Sequence, residues 1–229
     1  KTIPANTSSM DSTTTITSTD ITPSVSKQRG SHQKITVLGD SISAAYGVPT
    51  ENGWVALLEQ KLKQENKPHT VINASISGET TQGGLTRFSA ALKNHQPDLI
   101  VLELGANDGL RGIPPQITKT NLEQMILQSK KSNAVVLLMG MKIPPNYGPA
   151  YTEKFEAQFS ELANDHQLPF IPFFLENVVQ NLDLLQADEL HPTAEAQPII
   201  LATILPTLKV VLDSIYNKKE VKKSVKSLE

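Results

Sequence analysis

The chain has no cysteine among its 229 residues, which excludes disulfides, thiolate catalysis and cysteine-bound metal sites. It also has no run of eighteen apolar residues, so we predict no transmembrane segment. An excess of charge of either sign is also missing: the formal net charge is −2, so no overall positive charge favours a nucleic-acid partner. Hydrophobic residues make up 38% of the chain, which is enough to form the core of one domain.

The two ends of the sequence differ from its centre in composition. Residues 1–33 are rich in Ser and Thr and carry few large apolar side chains, so we predict a disordered tail or linker there. Such a spacer is typical of an exported bacterial protein, and we expect a periplasmic or secreted location, with a lipid anchor as one form of it. An artefact of expression is the alternative. Lysines concentrated in residues 218–229 predict a basic C-terminal tail, either as a solvated helix end or in contact with anionic lipid.

Residues 34–217 alternate short apolar runs with longer segments of helical spacing. The predicted strands occupy residues 35–38, 70–74, 99–102, 135–139 and 169–173. The predicted helices occupy residues 53–64, 81–95, 116–131, 151–166 and 195–216. Two prolines should place the fifth strand at an edge, and Pro206 should kink or break the last helix. This alternation predicts an α/β fold, a three-layer α/β/α sandwich around a flavodoxin-like five-stranded parallel sheet of order 2-1-3-4-5.

Four short motifs together hold the residue types that hydrolyse an acyl ester through a serine. They are Gly39-Asp40-Ser41-Ile42-Ser43, Ser77-Gly78-Glu79-Thr80, Gly105-Ala106-Asn107-Asp108 and Asp188-Glu189-Leu190-His191-Pro192. The first three follow predicted strands one, two and three. Because sites in such sheets form at the carboxyl ends of the strands, we expect these three motifs to meet in one crevice.

Each residue of the motifs has a chemical role and an ordinary alternative. Ser41 is the candidate nucleophile at the start of a short helical stretch over 41–45, and it could equally be a plain helix cap. Asp188 precedes His191 by three residues, so its carboxylate can reach Nδ1 and leave Nε2 for the serine proton. Gly78 and Asn107 are candidate oxyanion donors together with the Ser41 N–H, although each could also belong to a simple turn.

Two other carboxylates accompany these motifs. We expect Asp40 to orient or cap its neighbours, because a role in proton transfer fits it less well. Glu103 ends an apolar strand, where an unpaired carboxylate would be costly, so we expect it to be buried and hydrogen-bonded, with a structural role. No His, Asp and Glu cluster has ligand spacing, and we expect neither a metal nor a cofactor.

Apolar residues in the loops at the strand ends could line an acyl groove, or they could be packing beneath the loops. The candidates for substrate binding are Leu110, Ile113, Pro114, Ile143 and Tyr147.

Over residues 35–207 the sequence closely resembles the SGNH, or GDSL, hydrolase superfamily, in particular its bacterial thioesterase I / protease I / lysophospholipase L1 group and related arylesterases. The stretches that carry the resemblance are 38–41, 73–78, 104–112 and 144–148. Ile42 replaces the leucine of the GDSL name and Ala106 replaces a frequent glycine, and both keep the essential residue types.

The resemblance implies Ser41 as nucleophile, His191 as base, Asp188 as its orienter, and Gly78 and Asn107 as oxyanion donors. It further implies a small-molecule ester or thioester as substrate: arylesters, short to medium acyl esters, acyl-CoA and lysophospholipids, so a lipid is among the candidates. We expect the protein to act as a monomer.

Two other functions compete with this interpretation. A carbohydrate O-acetylesterase of the same superfamily would need a shallow, polar site. A non-catalytic, surface-tethered binding module would be expected to have lost a member of the triad, yet Ser41, Asp188 and His191 are all present.

Overall fold

The computed structural model describes residues 32–67 and 69–226. Most of the predicted N-terminal tail, and with it the basis for the expected location, lies outside these residues, as do residues 227–229. Gln33 is described and belongs to the folded part, although it was predicted to be the last tail residue. Its side chain is 1% exposed, and its Nε2 donates to the Leu212 carbonyl at 3.0 Å.

The predicted sheet is confirmed as five parallel strands in the order 2-1-3-4-5. The strands are β1 (Lys34–Gly39), β2 (Thr70–Asn73), β3 (Leu99–Glu103), β4 (Val135–Met139) and β5 (Phe170–Ile171). Every residue of β3 is buried, as its continuous apolar run predicts for a strand covered on both faces. β5 lies at the edge and has only two residues, flanked by the prolines that limit its ladder.

Six helices cover the sheet within the described residues. They are α1 (Trp54–Gln64), α2 (Thr81–His95), α3 (Ala106–Leu110), α4 (Pro115–Lys131), α5 (Pro149–His166) and α6 (Gln197–Lys226). α1 packs with α6, while α2 packs with α4 and α4 with α5, which gives the predicted three layers. The sequence did not predict the five-residue helix α3, because Asn107-Asp108-Gly109 has the composition of a turn.

α6 runs without interruption through Pro206, so the break that was one of the two expected outcomes at this proline does not occur. A proline removes the hydrogen bond to the carbonyl four residues earlier, here that of Ala202. Both residues are exposed, so water can bind that carbonyl. The opposite side of the helix carries the packing: Ile200, Ile204 and Leu208 are fully buried.

The C-terminal part of α6 includes residues 218–226, most of the segment predicted as a basic tail. By length and composition alone, residues Gln197–Lys222 could cross a membrane, yet 39% of the most apolar window is buried inside the protein. We interpret α6 as a core helix of the domain in which the buried apolar residues end at Ile215.

Candidate active site

Three side chains from opposite ends of the sequence form one hydrogen-bonded series. Ser41 Oγ lies 2.9 Å from His191 Nε2, and His191 Nδ1 lies 2.6 Å from Asp188 Oδ2. With the imidazole proton on Nδ1, Nε2 is the acceptor for the serine hydroxyl. The structure therefore brings together the residues proposed as nucleophile, base and orienting carboxylate, in the geometry that their chemistry requires.

Ser41 lies in a run of hydrogen-bonded turns after β1, and the expected helix over 41–45 does not form. The Ala44 N–H donates to the Asp40 carbonyl at 2.9 Å, and the Tyr46 N–H donates to the Ser41 carbonyl at 3.0 Å. Ala45 has φ +59°, in the left-handed region, which a continuing helix does not allow. Ser41 therefore does not have a helix N-terminus behind it.

The loop before α6 holds Asp188 in its ionised form. One carboxylate oxygen, Oδ1, accepts the backbone N–H groups of Leu190 and His191, each at 3.0 Å. The N–H of His191 is the largest cause that lowers the Asp188 pKa to about 2, and the bond to the imidazole adds to it. At neutral pH this carboxylate is therefore charged and can stabilise a positive imidazole.

Asn107 is presented to Ser41 by α3. Its Nδ2 donates to Asp40 Oδ2 at 3.2 Å, and Asp40 Oδ1 accepts the Ile42 N–H at 3.1 Å. Asp40 therefore both orients the amide and caps the turn of the nucleophile. An amide nitrogen carries two hydrogens, so the second one remains for a substrate oxygen.

Gly78 lies beyond β2 and is joined to the region of Asn107 through Arg111. Its φ is +77°, which glycine adopts without strain, and its carbonyl accepts a hydrogen bond from Arg111 Nη2 at 2.9 Å. Arg111 follows α3 directly, so this bond ties the loop after β2 to the helix that carries Asn107. Gly78 does not line the cavity next to Ser41. Sequence reasoning did not identify this contact of Arg111.

A cavity of about 400 Å³ opens beside Ser41 and His191, with mostly apolar walls. Leu110 and Ile143, two of the predicted substrate-binding residues, line it. Ile113, Pro114 and Tyr147 do not.

These three residues have structural contacts instead. The Tyr147 hydroxyl donates to the Leu110 carbonyl at 2.7 Å and so supports the wall from behind. The Ile113 carbonyl accepts the hydroxyl of Tyr151, and Pro114 caps α4.

Much of the cavity wall comes from the segment between β5 and α6, in which sequence reasoning had identified only Asp188 and His191 as site residues. It contributes Phe173, Leu175, Val179, Leu182, Leu185 and Leu190. The signal was a set of apolar residues in a stretch with neither helical nor strand spacing. Such residues have to pack or line a site, and here Phe173, Leu175 and Leu185 do both.

Glu103 has the buried, hydrogen-bonded position that was expected, and the structure identifies its partners. Its Oε2 accepts the Ser43 hydroxyl at 2.5 Å and the Asp40 N–H at 3.2 Å, while Oε1 has no hydrogen-bond partner among the described residues. The Trp54 indole N–H donates to the same Ser43 hydroxyl at 3.2 Å. The turn of the nucleophile therefore rests on a buried carboxyl group.

Burial raises the pKa of both carboxyl groups beneath the site. The pKa of Glu103 lies well above its usual value because the side chain is fully buried and the Asp40 carboxylate is close. Burial also raises the pKa of Asp40 to about 6, against the opposing effect of the Ile42 N–H.

Gly39 is the glycine of the first motif because Glu103 occupies the space beside it. A Cβ at this position would lie 2.3 Å from Glu103 Oε2 and 2.8 Å from the Ser43 side chain. Gly39 pairs directly with Glu103 across β1 and β3. Lack of space, and not backbone conformation, requires the glycine here.

We predict that Glu103→Gln changes how stability depends on pH. Because burial raises the folded-state pKa of Glu103, the stability that its proton contributes is complete below the usual value of 4.5 and is lost as pH rises above it. Glutamine keeps the accepting oxygen and has no such proton to lose. The stability of the variant relative to the parent should therefore grow by about 1.4 kcal/mol per pH unit from about pH 5 up to the raised folded-state pKa of Glu103, and stay constant above that pKa.

Urea unfolding at pH 5 and pH 8 measures this difference, with the exposed Glu59→Gln as the matched control. An equal stability difference at the two pH values would contradict the prediction.

Comparison with known proteins agrees with this geometry. Residues 37–198 match the model of the GDSL-like Lipase/Acylhydrolase family. Esterase TesA of Pseudomonas aeruginosa is 46% identical over 185 residues, covering 81% of this chain and 92% of that protein. Thioesterase 1/protease 1/lysophospholipase L1 of Escherichia coli K12 is 45% identical over 164 residues, which cover 72% of this chain and 77% of that protein.

Among solved structures, the psychrotrophic esterase EstA of Pseudoalteromonas sp., inhibited by monoethylphosphonate, superposes with a TM-score of 0.76. It is 42% identical, and the match covers 79% of this chain and 99% of that one. The family match spans more than half of the chain, and the resemblance seen in the motifs is confirmed. The chain belongs to the GDSL-like lipase/acylhydrolase family.

Proposed function

We propose that this protein is a serine esterase that hydrolyses carboxylic esters and thioesters through an acyl-enzyme on Ser41. The observation that carries the proposal is the unbroken series of hydrogen bonds from Ser41 through His191 to Asp188, which opens onto an apolar cavity. A hydroxyl paired with a base, and a base paired with an orienting carboxylate, are the groups that serine acyl transfer needs.

The first half of the reaction acylates the serine. His191 Nε2 takes the Ser41 proton as Oγ attacks the substrate carbonyl, and the negative charge collects on the carbonyl oxygen. The amide of Asn107 and the backbone N–H groups of Ser41 and Gly78 are the proposed donors to that oxygen. The hydrogen bond from Asn107 to Asp40 supports this role because it fixes the amide before the substrate arrives.

Loss of the leaving group completes acylation, and attack by water then forms the second half of the reaction. Protonated His191 donates its Nε2 proton to the leaving alcohol or thiol, and the ionised Asp188 stabilises the positive imidazole meanwhile. A water molecule then loses a proton to Nε2 and attacks the acyl carbonyl. When the bond to Oγ breaks, the carboxylic acid leaves and His191 returns the proton to Oγ, which regenerates Ser41. All of these groups come from one chain, so the proposed monomer suffices for the reaction.

The cavity supports an acyl chain as the group bound beside Ser41. Apart from the catalytic residues and Asp40 and Asn107, its polar lining residues are Lys142 and Glu189, and the rest of the wall is apolar. We therefore propose arylesters, short to medium acyl esters, acyl-CoA and lysophospholipids as substrates. A carbohydrate O-acetylesterase would need more polar groups in the wall, and a binding module would not need an assembled triad.

A series of p-nitrophenyl and coenzyme A esters of increasing chain length tests this proposal. Each methylene buried in the apolar cavity is expected to raise kcat/KM about fourfold, from about 0.8 kcal/mol per buried CH₂, until the chain outgrows the cavity. Acetylated sugars provide the comparison. Faster hydrolysis of acetylated sugar than of every longer ester would contradict the proposed acyl preference.

The proposed periplasmic or secreted location is supported by the Ser- and Thr-rich composition of residues 1–31, which lie outside the described part of the chain.

A further inference from the structure

The proposed reaction depends on the register between two segments that are far apart in sequence. Ser41 belongs to the turn over 41–47 after β1, and His191 belongs to the loop over 185–192 before α6. A displacement of about 1 Å between reacting groups can lower a rate about 10²-fold. Contacts that fix one segment against the other are therefore relevant to turnover.

The loop that carries His191 is braced within itself. Leu185 and Pro192 form an isolated antiparallel bridge. The Gln186 N–H donates to the His191 carbonyl at 2.7 Å, and the Thr193 N–H donates to the Leu184 carbonyl at 2.8 Å. These hydrogen bonds hold the internal shape of the loop, and contacts that cross to the turn position it relative to Ser41.

The side chain of Gln186 makes such a contact. Its Nε2 donates to the Tyr46 carbonyl at 2.8 Å and to the Pro192 carbonyl at 2.9 Å, which uses both hydrogens of the amide. The Tyr46 N–H in turn donates to the Ser41 carbonyl at 3.0 Å. One side chain thus joins the backbone of the nucleophile turn to the backbone next to the base.

The turn is shaped to receive this amide. A Cβ at Gly47 would lie 2.2 Å from Gln186 Oε1, so any larger residue there would displace the amide. Gly47 also has φ +72°, a conformation that glycine adopts at little cost. Space and backbone conformation both favour glycine at the point where the Gln186 side chain crosses.

The residue that accepts from Gln186 also touches the imidazole. The rings of Tyr46 and His191 lie 4.6 Å apart between centroids at an interplanar angle of 45°. Tyr46 is therefore held through its carbonyl by Gln186, and its ring packs against the base. Moving this residue would move the surface on which the imidazole rests.

We propose that Gln186, through its hydrogen bonds to Tyr46 and Pro192, is a positioning residue that keeps His191 in register with Ser41. This inference rests on the proposed roles of Ser41 and His191. Gln186 does not line the cavity, so its loss should act on turnover and leave substrate affinity almost unchanged.

The variant that tests this is Gln186→Met, which keeps the length of the side chain and removes its donors. We expect kcat for a p-nitrophenyl ester to fall about 10²-fold, with KM within about twofold of the parent. The rate at which a fluorophosphonate labels Ser41 should fall in parallel. The matched control is Gln180→Met, the same change at an exposed position outside the cavity wall, and it should leave both rates unchanged.

Gln186→Glu is the second variant, because it places an acceptor oxygen against two carbonyl oxygens and should lose at least as much turnover. Folded variants with kcat within threefold of the parent would overturn the proposal, and so would a rise in KM at unchanged kcat. Failure of both variants to fold would overturn it too, since Gln186 would then determine the fold. An active Ser41→Ala protein would refute the proposed function itself. If Ser41→Ala is inactive and the Gln186 variants stay active, only the positioning role is refuted.

Discussion

Replacement of Ser41 by alanine is expected to lower kcat on the order of 10⁶-fold, the loss seen when a catalytic serine is removed from a complete triad. The hydroxyl lies 2.9 Å from His191 Nε2, and no acyl-enzyme can form without it. The serine is 8% exposed in a turn held by backbone hydrogen bonds, so the protein should stay folded. Ester hydrolysis, fluorophosphonate labelling and thermal unfolding measure these three expectations.

The exposed Ser89→Ala is the matched control for this change, and it should keep full turnover and labelling. If Ser41→Ala kept more than about 1% of the turnover and was still labelled at the parental rate, the nucleophile would have to be another residue.

Asp188→Asn is expected to lower kcat about 10⁴-fold, although it changes only one atom. In the protein, Oδ1 of this carboxylate accepts two backbone N–H groups, and Oδ2 faces His191 Nδ1 at 2.6 Å. An asparagine whose oxygen keeps the backbone bonds turns its NH₂ toward Nδ1. Nδ1 must then accept, the imidazole proton moves to Nε2, and the ring can no longer take the serine proton.

Steady-state kinetics on a p-nitrophenyl ester test this prediction, with the exposed Asp183→Asn as the control. The Asp188 side chain is 41% exposed, so water could reach the imidazole in its place. Turnover of Asp188→Asn within about tenfold of the parent would mean that solvent supplies the orientation of His191, and the carboxylate would lose its proposed role.

The sequence predicted the sheet well because each strand is a short apolar run bounded by polar residues. The buried strands β3 and β4 carry that pattern most clearly, and the sheet order is the flavodoxin-like one expected for alternating strands and helices. Pro206 does not break α6, which the sequence could not predict because it does not show which side of a helix faces water. The helix α3 was missed because its Asn-Asp-Gly composition is that of a turn.

The proposed catalytic residues could be found because their chemistry restricts the residue type. Ser41, Asp188 and His191 stand in short motifs whose members have few substitutes. Gln186 gave no such signal, since a glutamine in a loop is common and its two acceptors are backbone carbonyls, which any residue supplies. The prediction of a helix over 41–45 was wrong for a similar reason, because nothing about an alanine indicates that Ala45 adopts a left-handed backbone conformation.

The contact between Gly39 and Glu103 has a consequence for engineering this site. The two positions face each other across neighbouring strands, and the carboxyl group fills the volume in which a side chain at Gly39 would have to stand. Gly39 cannot be enlarged alone: a larger residue in the first motif requires a shorter one at the end of β3. A mutant library aimed at the nucleophile turn should therefore randomise both positions as a pair.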